Sequence, residues 1–402
     1  MNKLLNNEYD VLTTTNRDKM VECLEYISNN LEWLSNPVRD SRILVMQPGK
    51  KDVDGQMVLL DDGTCGTFID ILRKTAPLQD EEAANECYVN SNRFAAIPNA
   101  NGHWEVFPTF HTAQKGLLTR RGLFCPAITG NYAITRPLPT MEETFLNDAA
   151  SRCNTEELWG VLDGGCIANC STGYAPLDAL AGFNTFEAQL NSVWDGVEFC
   201  YGEISYESYL ADFKIDDPIA VDSLRNVFEQ LGVKVDSLEC YARYTTSDTT
   251  NAQMGGTIYY KLNDSTIRLA DKLGVDHKGD VSILDFKKRI DDIGMLLKES
   301  EDAVERLGNI DLQFPSDCLK NALIKVKLLN KFGQDAVTES VLSKNIVTAL
   351  DVVLKCSEVL TTTATSHKWT ATQIINASEE VTKLLNAKFD SLDRPCQLDK
   401  QD

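Results

Sequence analysis

The apolar positions of this chain recur first at helical spacing, then at strand spacing, and towards the end at helical spacing again. Between residues 16 and 34, Met20, Leu24, Ile27, Leu31 and Leu34 fall on one helical face, with Asn16 placed to cap it and Pro37 beyond its end. The period then shortens. Ile43 to Met46 and Met57 to Leu60 are short apolar runs about Asp54-Gly55. That dipeptide favours a tight hairpin turn, because glycine accepts positive φ without steric cost. Residues 85–136 mix aromatics with turn formers such as Asn90, Asn92, Pro98, Asn101, Gly102 and Pro108. They predict short strands and long loops.

Helical patterning returns at 140, where Thr140 and Glu143 fit a reciprocal capping box. Amphipathic helical segments are predicted near 154–163 and 184–195, and a strand over Ile204 to Ile215. Asp217-Pro218 opens a helix that Gly232 closes: proline fits the first helical turn and glycine the end. Tyr241 to Thr246 and Thr257 to Leu262 read as strands either side of a Gly255-Gly256 turn. From about 282 the pattern is almost wholly helical. Ser282 caps a segment ending at Gly308, Pro315 and Ser316 begin another, and segments near 335–343, 345–360 and 367–389 follow. No internal repeat is apparent. The expected class is α+β, a mixed strand/helix body with a mainly helical C-terminal region, divided as 1–136, 137–280 and 281–402.

A chain of 402 residues with 43% hydrophobic content buries a substantial core. The formal net charge of −21 repels phosphate and anionic lipid, which argues against non-specific binding to DNA or membranes. No apolar run approaches the ~20 residues of a membrane-spanning helix. The opening MNKLLNNEYD lacks the apolar core of a secretion signal. The twelve dispersed cysteines are therefore expected to be reduced and mostly buried, in a cytoplasm.

The search for catalytic or metal chemistry yields little. Cys166 and Cys170 lack the second close pair that a zinc site needs, and read as buried thiols. His103, His111 and Cys125 share one stretch, but thiolate–imidazole catalysis depends on contacts that spacing does not supply. Lys50-x-Asp52-x-Asp54-Gly55 resembles a calcium loop superficially, yet begins with a cation and has Asp61 rather than glutamate at its twelfth position. Gly63-Thr64-Cys65-Gly66-Thr67 matches neither a P-loop nor a dinucleotide fingerprint. No cofactor and no metal is expected.

One segment departs from the acidic average. Between Tyr88 and Arg136 the only acid is Glu105, against Arg93, Lys115, Arg120, Arg121 and Arg136, and the stretch carries Trp104, Phe107, Phe110 and Phe124. Arginines interleaved with aromatic rings are what stacking on single-stranded bases requires. Arg93, Trp104, Phe110, Lys115, Arg120 and Arg121 are therefore candidate nucleic-acid contacts. Against this stands the simpler expectation that the rings are core and the cations dock on acidic parts of the same chain.

Several further motifs occur in a distinctive order: Ser171-Thr-Gly-Tyr-Ala-Pro-Leu177, Gly202-Glu-Ile-Ser-Tyr206, Thr245-Thr-Ser-Asp248 and Leu273-Gly-Val-Asp-His-Lys-Gly279, followed by the helical tail. Over roughly 165–390 this order resembles the phage- and plasmid-like proteins of unknown function, family nine-three-two of that class. The resemblance implies an origin on a phage or mobile element, and with it the cytoplasm of a bacterial host or a virion assembled there, and carries no functional residues over. With no catalytic motif and an acidic surface, the expected role is non-enzymatic, acting through protein contacts in an assembly or on a host factor. Single-stranded nucleic-acid binding or annealing is the alternative, and an enzyme with an unfamiliar site the third. A pocket gathering His103, His111 or His277 with carboxylates would favour the last.

Overall fold

The computed structural model describes residues 3–45, 57–59, 65–67, 93–98, 104–121, 146–249, 252–263, 265–328, 346–369 and 371–395. After strand β1 (Leu12–Thr14), the Asn16 side chain accepts from the Lys19 amide and caps helix α1 (Arg17–Asn30), which buries Met20, Cys23, Leu24 and Ile27. Leu31 ends the helix. Leu34 lies already in β2 (Glu32–Pro37), paired with Trp159, so the helix stops a turn before the apolar spacing does.

Next come β3 (Arg42–Val45), β4 (Met57–Leu59), β5 (Cys65–Thr67), β6 (Arg93–Pro98), β7 (Trp104–Pro108) and α2 (His111–Arg120). The expected hairpin between the runs at 43–46 and 57–60 does not form: β4 pairs with β5, and β3 pairs with β6. Ile43 on β3 buries with Ala95 and Ile97 of β6 and with Leu117 of α2, a long-range cluster that outweighs the local turn signal. Asp54-Gly55, the Thr140–Glu143 box and residues 335–343 lie outside the described residues.

Strand β8 (Glu156–Leu162) follows where a helix was predicted, paired with β2 and with β9 (Gly165–Ser171). Its apolar run is covered on both faces, Trp159 and Val161 in one cluster and Leu162 in the other. Such a run has no period-two signature, so sequence does not distinguish it from a buried helix.

Asp178 caps α3 (Ala179–Val193) by accepting from the Ala181 amide. The single strand predicted over 204–215 is a hairpin of β10 (Val197–Ile204) and β11 (Tyr209–Ile215), turning through Ser205–Ser208. Helix α4 (Ile219–Gln230) stands between the expected Asp217-Pro218 start and Gly232, whose φ is +78°. Gly255 and Gly256 are not a turn. They lie inside β13 (Met254–Leu262), opposite Thr245 and Tyr244 of β12 (Leu238–Thr246). A Cβ on Gly256 would meet the Phe186 ring at 2.2 Å, and one on Gly255 would meet Lys272 Cε at 2.2 Å, so each glycine makes room for a large side chain on its own face.

Strands β14 (Ser265–Ile267) and β15 (Leu273–Val275) both pair with β13. The segment capped by Ser282 is two helices, α5 (Ile283–Ile290) and α6 (Met295–Gly308). Then come α7 (Pro315–Lys325), α8 (Ala349–Ser366), capped reciprocally by Thr348 and Asp351, and α9 (Ala371–Thr382).

The fold is α+β. Its main sheet is antiparallel, in the order β1-β10-β11-β12-β13-β14 with β15 beside β13. Alternation sorts each strand into two faces. Ala211, Phe213, Ala242, Tyr244, Ile258 and Tyr260 point into one hydrophobic cluster with Phe183 and Phe186 of α3, Phe228 of α4, Phe286 of α5 and Val353 and Cys356 of α8. The C-terminal helices thus share the sheet's core, and the cluster runs from Leu4 to Leu392. Asp212, Lys214, Glu239, Tyr241, Arg243, Thr245, Thr257, Tyr259 and Lys261 alternate with these residues and occupy the opposite face.

Candidate anion-binding cavity

The polar face of the main sheet has an open half and a roofed half. On the open half, and at its border with the roofed half, every cation has a partner. Arg243 reaches Asp212 with two bonds, at 2.6 and 2.7 Å, and lies 4.8 Å over the Tyr259 ring, while Tyr259 itself donates to Asp212 at 3.0 Å. Lys214 meets Glu239 at 2.8 Å, and Lys261 sits 4.4 Å over Tyr241. Burial works against the charge of Arg243, but Asp212 holds its pKa above the ordinary value. Such matched pairs satisfy one another and leave no charge for a ligand.

The roofed half differs. Helices α8 and α9 cross over it and enclose a cavity of about 420 Å³. Its floor is Arg243, Thr245, Thr257 and Tyr259, joined by Thr266, Arg268 and Lys272, and its roof includes Leu360, Thr361, Ala364, Trp369, Ile374 and Glu379. Arg268 follows β14 directly and is only 8% exposed in its side chain. Its Nε donates to Ala270 O at 3.1 Å, but Glu379 lies 3.9 Å from Nη1, beyond hydrogen-bonding distance. Lys272 precedes β15 and runs across Gly255, its Nζ donating to Gln253 O at 3.2 Å. Burial pushes Lys272 down to about 8; Glu379 opposes this shift and Arg268 adds to it. Burial also lowers the pKa of Arg268.

With Lys368, four cations line the cavity. Asp212 matches Arg243 and Glu379 pairs with Arg268 only at 3.9 Å, while Lys272 and the exposed Lys368 have no ion pair of this kind among the described residues. Thr245 Oγ1 is buried on the floor with no hydrogen-bond partner. Desolvated, unmatched cations are costly, and an anion in the cavity would offset that cost.

The sequence-derived nucleic-acid residues do not form one surface. Arg93 opens β6, Trp104 opens β7 and Lys115 lies within α2; the described structure of these three is their backbone. Phe110 is packed, its ring 5.0 Å from Tyr206 and against the backbone at Gly165. Arg121 is a correction. Its side chain is fully buried, with Nη1 on Glu157 at 3.1 Å and Nη2 on Ser41 at 2.9 Å, so it has no route to a phosphate. Arg120 is half-buried and lines a second cleft, about 410 Å³, with Asn169, Ser171, Tyr174 and His277.

The chemistry of that cleft is quiet. His277 is buried, with Nδ1 3.1 Å from Ala175 O and Nε2 3.3 Å from Thr246 Oγ1, and burial lowers its pKa. Burial pushes the Cys170 thiol up to about 12, so it supplies no thiolate. His111 does gather carboxylates, Glu8 at Nδ1 (3.0 Å) and Glu207 at Nε2 (3.1 Å), but on opposite ring atoms, where the imidazole works as a clasp. Burial lowers its pKa, yet the two carboxylates prevail and raise it to about 9. Among the described residues no three His, Cys, Asp or Glu side chains are grouped to hold a metal. Cys23, Cys153, Cys166, Cys170, Cys200, Cys240, Cys318 and Cys356 are free, and none of the described helices is long and apolar enough to cross a membrane.

No protein-family model, no curated protein and no solved structure matches this chain. The cavity residues were not singled out from the sequence. Arg243 is signalled only by polar alternation in Tyr241–Thr245, and nothing local marks Arg268 or Lys272, since their significance is the missing partner.

Proposed function

We propose that this protein binds a small anionic ligand, bearing phosphate or carboxylate, in the cavity between the polar face of the sheet and helices α8 and α9. The observation that carries this reading is the pair Arg268 and Lys272 beside a cavity of about 420 Å³: Arg268 is buried with its carboxylate 3.9 Å away, and the half-buried Lys272 bonds a backbone carbonyl, with no carboxylate in hydrogen-bonding reach among the described residues. That volume lies within the range of small-molecule sites. Calorimetric titration with inorganic phosphate and pyrophosphate at low salt should give saturable one-to-one binding, lost in Arg268→Gln/Lys272→Met. Affinity should hold below pH 8 and weaken above it as Lys272 loses its proton; Lys272→Met should flatten that profile. No binding of either anion at millimolar concentration would remove the reading.

A second reading, action through protein contacts in the phage or mobile-element setting that the sequence resemblance implies, is supported by two exposed apolar side chains. Ile219 is 77% and Met295 59% exposed, at the starts of α4 and α6. These helices run side by side in the same direction, since a Cβ on Gly308 at the end of α6 would lie 2.5 Å from Leu231 beyond the end of α4. Light scattering should show an assembly that Ile219→Lys/Met295→Lys disperses.

A further inference from the structure

The cavity has two chemically distinct walls. The floor offers cations and the unpartnered hydroxyl of Thr245, all able to donate to an anion. The roof offers an apolar, aromatic surface of Leu360, Ala364, Trp369, Ile374 and Ile375. Set into that roof are groups that accept and do not donate. Thr361 Oγ1 donates its proton to Ser357 O at 2.9 Å and accepts from the Thr266 amide at 3.3 Å, whereas Thr365 Oγ1 donates to Thr361 O at 2.9 Å. Thr365 is thereby left presenting lone pairs. Glu379 is an acceptor as well.

A ligand that satisfies both walls carries an anionic head and a flat apolar body with amino or hydroxyl donors on it. An inorganic anion fills only the floor, and an aliphatic acid gives Trp369 no ring to stack on and brings no donor to Thr365 or Glu379. We infer that the ligand is a nucleoside monophosphate or a close chemical equivalent, with its phosphate at Arg268 and Lys272 and its base against Trp369. This rests on the cavity reading given above. Base–aromatic stacking supplies affinity with little dependence on which base is stacked, so the assignment is to the class.

The test is calorimetry of the full chain with adenosine monophosphate, cytidine monophosphate, adenosine, inorganic phosphate and decanoate. Either nucleotide should bind about 10-fold or more tightly than phosphate or adenosine, the gain expected when a stacked base joins an anion contact. Trp369→Leu should reduce nucleotide binding to the level of phosphate while leaving phosphate binding unchanged, which also shows that the variant is folded. Arg268→Gln should weaken phosphate and nucleotide together. Nucleotides binding no better than phosphate would overturn the nucleotide assignment and leave the anion site standing. Decanoate binding more tightly than the nucleotides would overturn it in favour of an apolar chain. Binding of none of the five would remove the anion cavity itself.

Discussion

Arg121 and Arg268 are both arginines taken out of water, and their surroundings lead to opposite conclusions. Arg121 Nη1 lies 3.1 Å from Glu157, which also accepts from Asn169 at 2.9 Å and from Ser41, while the Arg121 guanidinium lies 5.9 Å over Trp159. The charge meets its carboxylate in direct contact, although Nε has no hydrogen-bond partner among the described residues. Arg268 has its carboxylate 3.9 Å away and a cavity in front of it. A buried cation in contact with its carboxylate ties elements together. One whose carboxylate stands off, beside a space of ligand size, marks a place where the partner comes from outside. Aromatic and basic composition drew attention to the first arginine, and geometry draws it to the second.

The largest effect that sharpens this contrast is at Arg121. Arg121→Ala leaves Glu157 buried and uncompensated, and should cost about 3–5 kcal/mol in denaturant unfolding. Replacing both members by Arg121→Met/Glu157→Leu should cost far less, because no bare charge remains. A small loss in the single variant would mean that Glu157 finds water, and the contrast would fail.

Arg268→Met should behave differently. Without ligand it should change stability by no more than about 1 kcal/mol, because a poorly compensated desolvation is removed together with a single backbone bond. A loss as large as that of Arg121→Ala would show that Arg268 is structural.

The smallest effect belongs to the clasp at His111. Its pKa is raised to about 9, so its contribution is complete below about pH 6.5, the unfolded value, and is lost as pH rises through 9. Because the group is partly exposed and its pairs are screened, a fall of about 1 kcal/mol over that window is expected. His111→Gln should remove the slope. A slope that persists in the variant would place the titration elsewhere.

Much of the fold was legible where one signal acted alone. Asn16 capping α1, the Asp217-Pro218 start and Gly232 end around α4 and Ser282 at α5 are local devices that satisfy orphan backbone groups within a few residues, and Pro315 at α7 removes one by lacking an N–H. The errors came where a distant neighbour decided. β8 was taken for a helix because apolar contacts on both its faces remove the alternation. Gly255-Gly256 was taken for a turn because the same residue type serves turns and close approaches. β3 was paired with the wrong run because β6 lies far along the chain.

By itself the sequence determined the α+β class, the strong negative charge, the starts of several helices and the polar alternation that gives the main sheet two unlike faces. These follow from composition and from periods that a chain carries locally. Only the tertiary structure decided that Arg121 meets Glu157, that α8 and α9 roof half of the polar face, and that Arg268 and Lys272 stand beneath that roof without a hydrogen-bonding carboxylate. Whether a charge is matched depends on distances between residues far apart in the chain, and along the sequence an arginine in contact with its carboxylate and one held 3.9 Å from it are the same letter.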